Sequence, residues 1–293
     1  MTTPTPATEA LRPDWLTTLV WPQSVHHVRV DGTDIAYTDV GAGPTLLFVH
    51  VGMWSILWRD IIDQLQGRYR CVTLDAPGCG LSERPSGTLT LENAAAVSAV
   101  VAELDLTDIT LVVHDLGAPA ALHAASAWAD RIAGLCVISG FGWRPSGPMF
   151  RGKLAMMGNP IVRELDAATG WLPRASATRF GVGRRWNRAT RQAFRRGLRR
   201  PQRRRLHHYM SAARYHDYTT IDNTLRTLAT RPAPTIFGQR NDPLRFQRKW
   251  KTRFPQALQI TIAKGYHFPM CDNPTLVATT IDNWHRHEIA RGR

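Results

Sequence analysis

Cysteine is sparse and scattered in this chain. Cys71, Cys79, Cys136 and Cys271 show no CxxC spacing, which argues against zinc ligation and a disulfide framework and makes a reducing cytoplasm the expected compartment. No apolar run is long enough to span a bilayer. The stretch Met1 to Arg12 is rich in Thr, Pro and Ala but has no basic start followed by an apolar core, so no secretory signal is expected. Acidic residues are nearly missing from the middle of the sequence. Residues 144–231 hold 19 Arg and 1 Lys against 4 acidic residues, a local +16, while the remainder holds 17 basic and 19 acidic residues, or −2. That asymmetry sets the middle apart as a module of its own. It raises nucleic acid or an anionic membrane as partners. No zinc-finger spacing, RRM-like signature or interleaved aromatic motif accompanies it, so a solvated Arg-rich helical face, without specific nucleic-acid binding, is the expectation.

What is present fits a globular protein: 293 residues, 43% hydrophobic and 20% charged, enough to bury a large core. Val25–Val30 and Ile35–Val40 alternate around Asp31-Gly32-Thr33, a hairpin signal. Thr45–His50 and Arg70–Leu74 read as strands, with apolar residues at helical spacing over Trp54–Leu65 between them. A glycine-rich loop, Asp75 to Ser82, follows. Helix Leu91–Leu104, strand Ile109–His114, helix Ala118–Ala129 and strand Ile132–Ser139 complete the first part. After Arg144 the pattern is helical and Arg-rich to about Arg231. Strand Thr235–Gly238, helix Phe246–Phe254, strand Leu258–Ala263, a loop through His267 and helix Leu276–Glu288 close the chain. The alternation predicts an α/β fold with a mostly parallel twisted sheet, helices on both faces, and right-handed crossovers. The core is expected to be discontinuous, residues 1–143 and 232–293. The helical cap, 144–231, falls between the sixth and seventh parallel-type crossover positions.

Function in such sheets gathers at the carboxyl ends of strands. The run Leu111-Val112-Val113-His114-Asp115-Leu116-Gly117-Ala118 is a buried strand breaking through a sharp turn into a helix, the shape of a nucleophile elbow. Asp115 occupies its tip, where Ser is common. Asp115, Asp242 and His267 arrive in the order nucleophile, acid, histidine, each after an expected strand. A carboxylate nucleophile suits displacement at an sp³ carbon to give an ester. A histidine base would then activate water to hydrolyse that ester, with Asp242 orienting the imidazole. Backbone amides after His50, at Val51 and Gly52, and at Leu116 are the expected oxyanion donors. Read without these partners, Asp115 would simply cap the next helix. His50 and His114 are expected beside the oxyanion region without a proton-transfer role, and Asp75 is expected to hydrogen-bond the glycine-rich loop. His207, His208 and His216 crowd together without a carboxylate at ligand spacing, so no metal and no cofactor is expected.

These segments resemble the α/β-hydrolase superfamily, in particular its haloalkane dehalogenase and epoxide hydrolase branch, which uses Asp as nucleophile. The resemblance rests on His50 to Ile61, Pro77-Gly78-Cys79-Gly80-Leu81-Ser82-Glu83-Arg84-Pro85, Val113-His114-Asp115-Leu116-Gly117 and Gly265-Tyr266-His267-Phe268-Pro269. It implies Asp115 as nucleophile, His267 as base, Asp242 as orienting acid, and a small, apolar substrate. Two departures stand out. Leu116 replaces the tryptophan that usually follows the nucleophile and steadies a leaving halide. His50-Val51-Gly52-Met53 replaces His-Gly-Asn-Pro, which removes the second halide donor. A desolvated anion needs such donors. Trp171 or Trp186 of the cap is expected to compensate in a dehalogenase. Tyr209, Tyr215 or Tyr218 would supply the acid in an epoxide hydrolase, and the altered segment after His50 leaves a non-hydrolytic ligand-binding or biosynthetic protein on the same fold as the further alternative.

Overall fold

A computed structural model describes residues 12–84 and 89–290. The N-terminal stretch before Arg12 and Pro85 of the loop motif lie outside the described residues. Eight strands form one sheet in the order β1-β2-β4-β3-β5-β6-β7-β8. They are β1 (His26–Val30), β2 (Thr33–Val40), β3 (Thr45–His50), β4 (Arg70–Leu74), β5 (Ile109–His114), β6 (Ile132–Ile138), β7 (Thr235–Gly238) and β8 (Gln259–Ile262). The β1–β2 hairpin and the β2–β4 pair are antiparallel; every other pair is parallel.

The central strands β3 and β5 are buried at every position and mostly apolar, because both faces are covered. Leu47, Val49, Leu111, Val113, Leu135 and Val137 face one core, shared with α2 (Leu89–Glu103) and α3 (Gly117–Ala124). Their alternates Leu46, Phe48, Val112, Cys136 and Ile138 face a second core, shared with α1 (Arg59–Leu65) and the C-terminal helix Pro274–Trp284. Burying aliphatic side chains of this size stabilises the fold by about 1.5–3 kcal/mol each. All four cysteines are free and buried.

Six helices stand between β6 and β7: α4 (Pro148–Met157), α5 (Pro160–Thr169), α6 (Trp171–Ser176), α7 (Arg188–Arg196), α8 (Arg200–Tyr215) and α9 (Thr219–Thr227). After β7 come α10 (Phe246–Arg253), β8, α11 (Pro269–Asp272) and α12, the C-terminal helix Pro274–Trp284. Three helices are shorter than their apolar periodicity predicts. Trp54–Leu65 begins as a 3₁₀ turn over Ser55–Trp58, because Ser55 donates both its amide and its hydroxyl to Asp75 (2.7 and 2.6 Å) and ties the entry to β4. The helix expected over Ala118–Ala129 breaks into 3₁₀ turns after Ala124, and the last helix ends in a π turn over His285–Ile289. No helix among the described residues is long and apolar enough to cross a membrane.

Candidate active site

β5 delivers Asp115 to the carboxyl edge of the sheet, and the turn that follows holds it at φ +47°. That left-handed conformation costs a non-glycine residue energy and is kept where the fold over-determines it. Gly117 makes the turn possible. A Cβ there would lie 2.9 Å from His50 Cα and closer still to the Val49 carbonyl oxygen, so α3 packs against β3 only with glycine at this position. Asp75 behaves as the sequence suggests: it is buried, and its other oxygen accepts from the Leu81 amide at 2.7 Å, closing the glycine-rich loop.

His267 arrives from the loop between β8 and α11, with Nε2 3.8 Å from Asp115 Oδ2. Burial alone would raise the Asp115 pKa. The His267 imidazole, with smaller contributions from His114 and Lys153, outweighs burial and holds the carboxyl well below its usual range. Asp115 is therefore an anion at neutral pH.

A string of buried imidazoles supports the pair. His114 Nε2 is 2.8 Å from the His267 carbonyl oxygen, and His114 Nδ1 is 2.9 Å from His50 Nδ1. A carbonyl only accepts, so His114 donates from Nε2. Its Nδ1 must then accept, and His50 donates from Nδ1. Both rings are neutral in this arrangement. Burial pushes the His50 pKa down to about 3 against the opposing pull of Asp115, with a smaller push from His267 in the same direction as burial. Burial and the neighbouring imidazoles of His267 and His50 likewise hold His114 well below 6.5.

The group beside His267 Nδ1 is Asn241, whose Nδ2 lies 2.9 Å away. Asp242, the acid expected there, spends its carboxylate elsewhere: it accepts from the Phe246 amide at 2.6 Å and the Gln247 amide at 3.0 Å, capping α10. Burial raises the Asp242 pKa against the pull of those two amides. The physical reason is direction. Capping turns the Asp242 side chain toward α10, and the residue one place earlier faces the histidine.

Asp115, His267 and Asn241 open into a cavity of about 100 Å³ walled by aromatic and aliphatic groups, among them Phe141, Phe150, Phe237, Leu244 and Phe246. Two polar residues that the sequence did not single out also line it. Lys153 of α4 is the only lysine or arginine among the described lining residues. Ser139 follows β6 at φ +45° and is 5% exposed; its Oγ has no hydrogen-bond partner among the described residues.

A model of the alpha/beta hydrolase family matches residues 46–280. The chain belongs to that family. This hydrolase is also 28% identical over 265 residues to haloalkane dehalogenase 2 of Mycobacterium tuberculosis, covering 84% of this chain and 90% of the relative. Over 120 residues it is 31% identical to a cis-3-alkyl-4-alkyloxetan-2-one decarboxylase of Shewanella oneidensis, covering 39% of this chain and 38% of the relative. Among solved structures, haloalkane dehalogenase DbeA from Bradyrhizobium elkanii superposes with a TM-score of 0.76 at 18% identity, covering 92% of the hydrolase and 99% of DbeA.

The remaining expected donors are placed elsewhere in the hydrolase. Trp186 donates Nε1–H to Asp60 at 3.0 Å, Tyr209 donates its hydroxyl to the Pro77 carbonyl, and Tyr218 donates to the Ala213 carbonyl at 3.0 Å. Trp171 and Tyr215 lie at the surface. None of the five lines the Asp115 cavity. The bonds of Trp186 and Tyr209 tie the stretch between β6 and β7 to Asp60 and Pro77, and that of Tyr218 stays within the stretch. Val51 and Leu116 are buried at the ends of β3 and β5, and the Gly52 amide is directed at the Cys79 thiol. Among the described residues no cluster of three or more His, Cys, Asp or Glu could hold a metal ion.

Proposed function

We propose that this hydrolase works through an alkyl ester on Asp115, with the inserted helices capping the cavity. The observation that carries the reading is an anionic carboxylate at a strained elbow with an imidazole 3.8 Å away, both opening into a cavity with aromatic walls. Asp115 displaces a leaving group from an sp³ carbon, forming a C–O bond as the carbon–leaving-group bond breaks. His267 Nε2 then takes a proton from water, which attacks Cγ of the ester. The Val51 and Leu116 amide N–H groups donate hydrogen bonds to the developing oxyanion. Collapse frees an alcohol and regenerates Asp115. Lys153 replaces the missing halide donors: it comes from α4, lines the same cavity as Asp115, and its ammonium meets the departing anion. A haloalkane is the substrate class that the dehalogenase relatives support.

A second reading is favoured by the same cation and by the decarboxylase relative. Asp115 would open a strained cyclic ester at its alkyl carbon, and the leaving group would be the substrate's own carboxylate, held by Lys153. Loss of CO₂ then passes its electron pair into a carbon–carbon double bond as the bond to Asp115 breaks. No water is consumed, and no base is needed.

Assays for halide, alcohol, CO₂ and alkene separate the two readings, with Asp115→Ala as background. Halide release matched by alcohol supports the dehalogenase reading; CO₂ matched by alkene supports the other. If neither exceeds the Asp115→Ala background, both fail. Lys153→Met is expected to slow the first, bond-breaking step by about tenfold to a hundredfold, in keeping with the loss of one electrostatic contact to a developing charge. Single-turnover kinetics measure it.

A further inference from the structure

The outward face of α5 is reversed in character. Ile161 is 79% exposed and Leu165, one turn on, is 55% exposed, whereas Asp166 beside them is fully buried against His207. The stripe leads to Gly170 and to Trp171 at the start of α6, itself 37% exposed. A helix that turns its aliphatic residues to the outside has a surface that another phase or molecule covers.

Beside that stripe is a concave site of about 240 Å³ lined by Gly170, Arg174, Gln192, Arg195, Arg196 and Arg203, among others, with no acidic residue in its lining. Arg203 is fixed in place: its Nη2 donates to the Ala167 carbonyl of α5 at 2.7 Å, while its Nε is buried with no partner among the described residues. Gly170, at φ +64°, leaves room for this guanidinium. Arg195 and Arg196 stand in the last turn of α7, and Arg174 follows Trp171 by three positions, on the same side of α6. Four guanidiniums with no neutralising carboxylate are a site for a multiply hydrogen-bonding anion such as a phosphate group.

We propose that this face of the inserted helices docks on an anionic phospholipid surface. The arginine site takes a lipid phosphate, and Ile161, Leu165 and Trp171 enter the interface. Charge complementarity selects the occupant: the segment 144–231 carries +16, the one acid of the stripe, Glu164, is held by Arg163 and Arg204, and aliphatic groups with an indole beside an arginine-lined site match the headgroup boundary of an anionic bilayer. A nucleic acid would satisfy the arginines but leave the exposed aliphatic stripe without a role. A second copy of the chain would bring +14 against +14.

The test is co-sedimentation of the full chain with vesicles of phosphatidylglycerol and phosphatidylcholine, or of phosphatidylcholine alone, across salt concentrations. Binding is expected only to the mixed vesicles and is expected to weaken as salt rises. Each arginine removed from the site is expected to cost about fivefold in affinity, read with Arg195→Gln and Arg196→Gln. Ile161→Ser with Leu165→Ser is expected to weaken binding by about tenfold at unchanged charge. All four positions are exposed, and circular dichroism confirms that the variants fold. Vesicle binding that ignores the Ile161 and Leu165 changes overturns the proposal, because it is then mere adhesion of a basic protein. Equal binding to phosphatidylcholine alone overturns it too. So does tighter, arginine-dependent binding to duplex DNA, or a dimer in sedimentation velocity that Ile161→Ser dissolves.

Discussion

At Asn241 a neutral amide stands where a carboxylate would stabilise a charged imidazole. The amide Nδ2 lies 2.9 Å from Nδ1 and donates there; turned over, with its oxygen toward Nδ1, the amide accepts from Nδ1–H and leaves Nε2 free to take a proton, but it offers the resulting cation no charge in return. In a hydrolase of the triad type, exchanging the carboxylate for an amide costs about 10⁴ in turnover. Asn241→Asp is therefore expected to speed hydrolysis of the ester, by about tenfold or more, while leaving its formation unchanged. Separate burst and steady-state rates measure this, and equal acceleration of both would contradict it. Under the lactone reading, which needs no base, the substitution has no effect on turnover. Asp242→Ala, by contrast, removes the acceptor of the Phe246 and Gln247 amides at the start of α10 and is expected to destabilise the protein by about 1 kcal/mol.

At the scale of elements, the α3–β3 contact and the imidazole string hold the site together. Gly117→Ala places a methyl group against backbone at Val49 and His50, a clash that packing cannot absorb by a rotamer change. An expected destabilisation of about 3 kcal/mol follows, to be measured by urea unfolding. The string makes a second prediction. His50 and His114 are buried neutral with pKa values lowered from 6.5, His50 to about 3. Between those values the unfolded chain binds protons that the folded chain does not, so stability is complete above about 6.5 and is lost as pH falls toward 3. Each histidine contributes a slope of up to about 1.4 kcal/mol per pH unit. His50→Gln is expected to reduce the measured slope between pH 6 and 4.5, and an unchanged slope would show that this ring does not stay neutral.

Much of this was legible in the sequence, for physical reasons that also mark where legibility stops. Buried parallel strands announce themselves as apolar runs, so β3, β5 and β7 and the residues following them, Asp115 above all, could be located. His267 was legible because it follows the last strand. Asn241 was not: neighbouring residues in a loop face different ways, and nothing local says that Asp242 turns to cap α10. Asp242-Pro243 ahead of a helical segment was the one available hint. Lys153 and Ser139 were hidden more deeply. Lys153 reaches the cavity through the packing of α4 over the sheet edge, and Ser139 through a left-handed turn that its sequence does not advertise. The tryptophans and tyrosines failed as donors for the same reason in reverse, since their partners, Asp60, Pro77 and Ala213, are set by tertiary packing.

On the scale of the whole molecule, one sheet brings Asp115, Asn241 and His267 to the same edge, and α4, from between β6 and β7, adds Lys153 and part of the aromatic wall. In the proposed mechanism all of these act on one chemical event, the transfer of an alkyl group to Asp115. The most direct test is intact-mass spectrometry of the His267→Gln variant after incubation with a haloalkane. Without the base, the ester is expected to persist, as one alkyl group added in place of a proton, mapping by peptide digestion to Asp115 and absent when Asp115→Asn is added. An unmodified mass under conditions in which the wild-type chain releases halide would contradict the account.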